Sequence, residues 1–257
     1  MRSFNKLFTV FSAALLLVGS TVITNNVATA DNQPTQWGYT GHNGPENWGS
    51  LSPDYQMCNI GKNQSPINIT TSVDANLPAI KFNYKTPPSQ IINNGKTIQV
   101  NVKPGSSIVV DGVTYELKQY HFHTPSENHI AGKSFPLEAH FVHADANGNL
   151  AVVAVMFEEG KANAQLAKIW SNMPMKAGEN SSLKAEVKDV HSFLPQKQEY
   201  YRFTGSLTTP PCSEGVKWMV MKEPLTVSKQ QVEKFSLAVN GINNRPIQPQ
   251  NARMIIR

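Results

Sequence analysis

The sequence predicts a single mainly β domain of the α+β class, with a large, mostly antiparallel central sheet and a few short peripheral helices. Three observations carry this: runs of strand length, turn dipeptides between them, and few segments with helix start and stop signals. Ile98–Val102 alternates apolar and polar residues, and 108–110 is a short apolar run. Asp111-Gly112 then gives a strong hairpin signal before Val113–His123. Asn147-Gly148 marks another turn, between strands predicted over 137–143 and 150–157. The second of these is apolar throughout, the pattern of a strand buried on both faces. One helix is predicted after Ser228, where Ser228 and Gln231 fit a capping box. Val232, Phe235, Leu237 and Val239 supply its apolar residues, and Asn240-Gly241 stops it. A second short helix is predicted over 163–169.

Residues 1–30 read as a cleaved signal peptide, leaving 31–257 as the domain. Arg2 and Lys6 precede a mostly apolar stretch, and Ala28-Thr29-Ala30 is a small-x-small cleavage pattern. Ser12, Gly19, Ser20 and Thr21 interrupt the apolar stretch, which argues for removal over a permanent membrane anchor. Nothing after it is apolar enough to span a bilayer. The full chain carries 23 basic and 18 acidic residues. Without Arg2 and Lys6 the balance is 21 against 18, or +3, and no basic run interleaves with aromatics. A nucleic-acid partner is therefore not expected. Cys58 and Cys212 are the two cysteines. In an exported chain they are expected to pair, and a bridge closing so long a loop stabilises by several kcal/mol, on the order of 4. The expected location is periplasmic or secreted.

Seven histidines occur: His42, His121, His123, His129, His140, His143 and His191. A lone histidine is usually a surface or core residue, so each needs its own case. His121 and His123 stand two apart in a predicted strand, and side chains at i and i+2 leave the same face. His140 follows 17 residues later, beyond the turn formers Pro125, Gly132 and Pro136. Two adjacent antiparallel strands would bring these three imidazoles around one point. Three neutral nitrogens leave a tetrahedral position open, which is the layout of a catalytic zinc site. Gln119 shares the face of His121 and His123, and Glu138 shares that of His140. Both are placed to accept the second ring N–H of a metal-binding imidazole. By parity Val142 joins the same face and His143 the other, where it is structural. His129, in the connection, and the isolated His191 are not expected ligands.

The run Gln119-Tyr120-His121-Phe122-His123, then Ser126-Glu127, then Glu138-Ala139-His140-Phe141-Val142-His143, resembles the α-class carbonic anhydrases of secreted or periplasmic bacterial type. So do Trp37-Gly38-Tyr39, Gly44-Pro45-Glu46, Gln64-Ser65-Pro66-Ile67, Ser206-Leu207-Thr208-Thr209-Pro210-Pro211 and Asn243-Asn244-Arg245-Pro246. The matching segments span nearly the whole chain after residue 30. The resemblance implies a large twisted sheet with zinc at the base of a conical cleft. It implies reversible hydration of carbon dioxide to bicarbonate by a zinc-bound hydroxide, with weak esterase activity as a side reaction.

It also implies roles. His121, His123 and His140 hold Zn²⁺, with Gln119 and Glu138 orienting them. Thr208 links the hydroxide to Glu127, Thr209 positions bicarbonate, and Tyr39 holds part of a water network. Val142, Val152, Leu207 and Trp218 form an apolar pocket for carbon dioxide. A Cys58–Cys212 bridge would pin the loop that carries Thr208. Two residues depart from the family pattern. Lys96 stands where many active members carry a proton-shuttling histidine, leaving Tyr39 and His42 as substitutes, and Phe203 stands where tyrosine is common. Lysine, with an unperturbed pKa of about 10.4, is already protonated at neutral pH and cannot accept a proton. Some relatives have lost zinc and bind without catalysis, but that loss normally removes a ligand histidine, and all three are present here. No H-E-x-x-H peptidase motif occurs. Oligomeric state stays open between monomer and homodimer.

Overall fold

The computed structural model describes residues 36–183 and 190–257. The expected signal segment therefore lies outside the described residues. The strands are β1 (Asn68–Ile69), β2 (Lys81–Asn83), β3 (Pro88–Asn93), β4 (Ile98–Val102), β5 (Ser107–Val110) and β6 (Val113–His123). They continue as β7 (His129–Ile130), β8 (Leu137–Ala144), β9 (Leu150–Glu159), β10 (Asn180–Ser182), β11 (Tyr200–Ser206), β12 (Glu214–Met221) and β13 (Leu225–Val227). The α-helices are α1 (Trp48–Leu51), α2 (Met57–Ile60), α3 (Ala164–Trp170) and α4 (Lys229–Ala238). None of the described helices is long and apolar enough to cross a membrane.

One large sheet runs in the order β10-β3-β4-β6-β8-β9-β12-β11, with β5 also on β6, β2 on β5 and β13 on β9. Its pairs are antiparallel except β12 and β13, which run parallel to β9. The predicted mostly antiparallel sheet is thus present. At the β5–β6 hairpin Asp111 and Gly112 have φ of 51° and 79°. Two consecutive left-handed residues match the right-handed twist of the strands, which is why Asp-Gly works there.

β9 shows how the core is divided. Its odd-numbered side chains, from Ala151 to Phe157, join the main core with Leu166, Ile169 and Trp170 of α3 and Phe235 of α4. Val152, Ala154 and Met156 point the other way, into a second cluster with Phe203 and Trp218. The same alternation governs β6 and β8. Tyr120, Phe122, Leu137, Ala139 and Phe141 enter the main core, so Gln119, His121, His123, Glu138, His140 and Val142 share the opposite face. Each fully buried phenylalanine stabilises by about 1.5–3 kcal/mol, and this aromatic side anchors the face that carries the histidines.

Both predicted helices form. Asn163 caps α3 by accepting from the backbone of Gln165 and Leu166, and Ser228 with Gln231 completes the capping box of α4. Asn240 and Gly241 have φ of 60° and 118°, which ends α4. One apolar residue is not used as predicted. α4 buries Phe235 and Ala238 while Leu237 is 70% exposed, because residues three apart share a helix face and residues two apart do not.

His143 is buried in the main-core side, as parity predicted. Its Nε2 lies 3.0 Å from the Tyr84 hydroxyl, and its Nδ1 lies 3.3 Å from the Ala151 carbonyl. Burial pushes its pKa down to about 3, against two backbone bonds that raise it. The unfolded chain binds this proton below about 6.5 and the folded chain does not. Stability is therefore expected to fall as pH drops from about 6.5 toward 3, by on the order of 4 kcal/mol over the window. Denaturant unfolding of the metal-free chain between pH 7 and 4 should show a shallower acid loss in His143→Asn. Equal pH slopes in the two proteins would remove His143 from the account.

Candidate metal centre

The β6–β8 register sets His121 directly opposite His140 and His123 opposite Glu138. One ring nitrogen from each of His121, His123 and His140 lies within 4.8 Å of those of the other two. This is a group that could hold a metal ion. His123 and His140 are buried, and His121 is half-buried.

The second nitrogen of each ring is already engaged. His121 Nδ1 is 2.9 Å from Gln119 Oε1, His140 Nε2 is 2.8 Å from Glu138 Oε1, and His123 Nδ1 is 2.7 Å from the Asn243 carbonyl. All three partners are acceptors, so each of these ring nitrogens carries the hydrogen. The remaining nitrogens, His121 Nε2, His123 Nε2 and His140 Nδ1, keep their lone pairs. His123 Nε2 is buried with no hydrogen-bond partner. An orphaned buried acceptor is costly unless something outside the protein meets it, and a metal cation does so.

The electrostatics point the same way. Burial lowers all three imidazole pKa values, assisted at His121 by His123 and His140, and at His140 by His123. Neutral imidazoles are the form that ligates metal. Glu138 is fully buried, and burial raises its carboxyl against the bonds that lower it. It accepts from the backbone of Glu127 and Asn128 at 2.7 and 2.9 Å and from Asn128 Nδ2 at 2.8 Å. With these and His140, the carboxylate is well satisfied in the interior.

Sequence reasoning assigned orienting partners to two imidazoles and missed the third. The acceptor for His123 is a main-chain carbonyl 120 residues away. The sole signal was the segment Asn243-Asn244-Arg245-Pro246, which gives no hint of which atom is used. The same segment serves Glu127, whose Oε1 accepts from the Arg245 backbone N at 2.9 Å. Burial pushes the Glu127 carboxyl up, while Thr208, the Arg245 N–H and the Arg245 charge pull it down. Thr208 is thus beside Glu127, although Glu127 Oε2 has no partner at full hydrogen-bond geometry.

The Thr208 loop is held from both ends. Leu207 N donates to the Ser213 carbonyl and Cys212 N to the Thr209 carbonyl, each at 2.9 Å. Cys58 and Cys212 form a disulfide. Both cysteines pack with Trp48, and Cys58 lies in α2. The Arg245 guanidinium donates to the Cys58 and Ser65 carbonyls and to Gln64 Oε1, and Gln64 Nε2 donates to the Cys212 carbonyl.

Val142, Val152, Leu207 and Trp218 fall in one apolar cluster. Its Trp218 ring lies 4.9 Å from the His140 ring and edge-on to it. Phe203 stacks on Trp218 at 6.1 Å. Thr209 is half-buried beside Thr208. Tyr39 packs edge-on against Trp37 and Trp48, and burial, then the Glu127 charge, raises its pKa well above the usual value. The Lys96 ammonium donates to the Trp37 carbonyl and sits 4.9 Å from the Trp37 ring centroid. Burial lowers its pKa, a burial that the sequence did not reveal. His42 is exposed.

The chain is similar to known proteins over almost its whole length. The model of eukaryotic-type carbonic anhydrases matches residues 43–257. A carbonic anhydrase of Neisseria gonorrhoeae is 51% identical over 244 residues, 95% of either chain. Among solved structures, an α-carbonic anhydrase of Thermovibrio ammonificans superposes with a TM-score of 0.85 at 49% identity, covering 88% of this chain and all of that one. One from Photobacterium profundum gives 0.82 at 48% identity, covering 86% of this chain and all of that one. With these likenesses set beside the three-histidine centre, the chain belongs to the α-carbonic anhydrase family of enzymes.

Proposed function

We propose that this chain catalyses the reversible hydration of carbon dioxide to bicarbonate and a proton, with one zinc ion held by His121, His123 and His140. The observation that carries the reading is the set of three imidazoles whose second nitrogens are all engaged by acceptors, leaving three converging lone pairs. Zinc bound by three imidazoles supplies Lewis-acid chemistry that brings a water's pKa into the neutral range, for which carbonic anhydrases are the standard case.

The protein's own residues do the positioning. Gln119, Glu138 and the Asn243 carbonyl fix the tautomer and aim of the three rings. The Thr208 hydroxyl, which lies beside Glu127, donates to that carboxyl, whose Oε2 is otherwise without a partner. The Thr208 oxygen is then left to accept from the attacking oxygen and hold that atom's lone pair toward the substrate. Val142, Val152, Leu207 and Trp218 offer a nonpolar gas a surface with no hydrogen bonds to break. Thr209 positions the more polar bicarbonate. Tyr39 stays a neutral phenol and donates into the water network. The same attack on an activated ester gives weak esterase activity.

Residues 1–30 act as an export signal on this reading, and the disulfide is in keeping with a periplasmic or extracellular enzyme. Small molecules are its substrates, with no nucleic-acid partner, and a homodimer is compatible with all of this.

Protein isolated without added metal should contain one zinc per chain by elemental analysis. His140→Ala should lose both tight binding and activity, and full activity in that variant would end the proposal. Glu138→Gln keeps the shape but weakens the acceptor for His140, and zinc affinity should drop about 10–100-fold. Unchanged affinity in a competition titration would show that this hydrogen bond does not tune the site.

Proton export is the step that Lys96 makes slow. Its ammonium is committed to Trp37 and Tyr39 cannot accept a proton as a phenol, which leaves the exposed His42 as the substitute that the test must detect. A shuttle works best with a pKa near that of the group it serves. In dilute buffer kcat, but not kcat/KM, should rise with added imidazole buffer, and Lys96→His should raise it as well. A kcat indifferent to both would mean that another group already carries the proton.

A further inference from the structure

Asn243 is fully buried on the irregular segment after α4. Its side-chain amide uses both kinds of hydrogen-bonding capacity. Nδ2 donates to the Lys96 carbonyl at 3.1 Å and to the Phe122 carbonyl at 2.9 Å, and Oδ1 accepts from Thr124 N at 2.8 Å. Its backbone N donates to the Thr124 carbonyl at 3.1 Å, and its own carbonyl accepts from His123 Nδ1. One residue therefore grips the chain on both sides of His123 and also holds the turn between β3 and β4.

We propose that the Asn243 side chain is a positioning residue that locks the end of β6 and the Lys96 turn into one unit, and so determines how firmly His123 is presented to the metal. This rests on the zinc reading above. The reasoning is geometric. The acceptor for His123 is a main-chain atom, and a main-chain atom stays in place only if its own residue is held. Here the side chain does the holding. Alanine at 243 would strand the buried Thr124 N–H and release the Lys96 carbonyl. The Phe122 carbonyl would keep its bond from Thr97 Oγ1 at 2.6 Å, so the damage falls mainly on Thr124, on one side of the ligand, and on the Lys96 turn. Aspartate keeps the size and the acceptor but loses both donors, setting a carboxylate against two carbonyls.

The test begins with metal content. An unsubstituted protein that takes up no metal overturns the zinc reading and this proposal with it. Given a loaded protein, zinc release to a chromogenic chelator should be about tenfold faster or more in Asn243→Ala and Asn243→Asp. Ile108→Ala, a core cavity in β5, serves as the control at a matched loss of Tm and should release zinc at nearly the parental rate. Unchanged release in Asn243→Ala, or equal acceleration in Ile108→Ala, overturns the proposal. A second measurement needs no variant. Removing zinc from the parental protein should raise amide hydrogen exchange at Thr124 and across 95–97 together, since both are tied through Asn243 to His123. If neither 243 variant folds, this exchange experiment decides, and protection unaltered by metal removal overturns the coupling.

Discussion

The site depends first on the antiparallel register of β6 against β8. His121 opposite His140 and His123 opposite Glu138 are consequences of which residues pair, and a slip of one position would turn every one of these side chains into the aromatic core. That slip is opposed by the opposite face. Tyr120, Phe122, Leu137, Ala139 and Phe141 are all buried there. Moving them to the polar side while burying imidazoles and a carboxylate would forfeit apolar burial and strand charges at once. The aromatic core therefore specifies the polar site behind it.

Around the three imidazoles lies a second constraint, the satisfaction of buried polar groups. Glu127, Glu138, Asn243 and Arg245 are all buried, a costly set in isolation. Each is supported by backbone donors or acceptors, local ones for Glu138 and distant ones for the other three. The segment containing Asn243 and Arg245 meets His123 through one carbonyl and Glu127 through one N–H two residues later. The Arg245 side chain then reaches the backbone of Cys58, whose disulfide partner ends the loop bearing Thr208. His123, Thr208 and the disulfide thus share one frame, and on the proposed reading this is how the site would be preorganised before substrate arrives.

What was legible in the sequence had a local physical cause. The β5–β6 hairpin follows from two residues that tolerate a left-handed backbone, α4 from a side chain that meets its own first turn, and β9 from an unbroken apolar run. The histidine pair in β6 was readable because strand parity is a property of the backbone. Other elements carried no such signal. β11 has no clean alternation, since its register shifts between Gly205 and Ser206, and β3 opens with a proline. Those strands exist because a neighbour is there to pair with them.

By itself, then, the sequence determined the three imidazoles, their face of the sheet and two of their three orienting partners, because spacing of one or two residues is enough to decide those. Only the tertiary structure decided that a carbonyl at Asn243 completes His123, that Arg245 joins Glu127 to the disulfide, and that Lys96 is bound to Trp37. Each of these contacts links residues 59 to 187 positions apart, and every one of them has a main-chain atom on one side, which every residue type possesses alike. A sequence records side chains; which backbone group ends up beside a buried ring is set by how the whole chain packs.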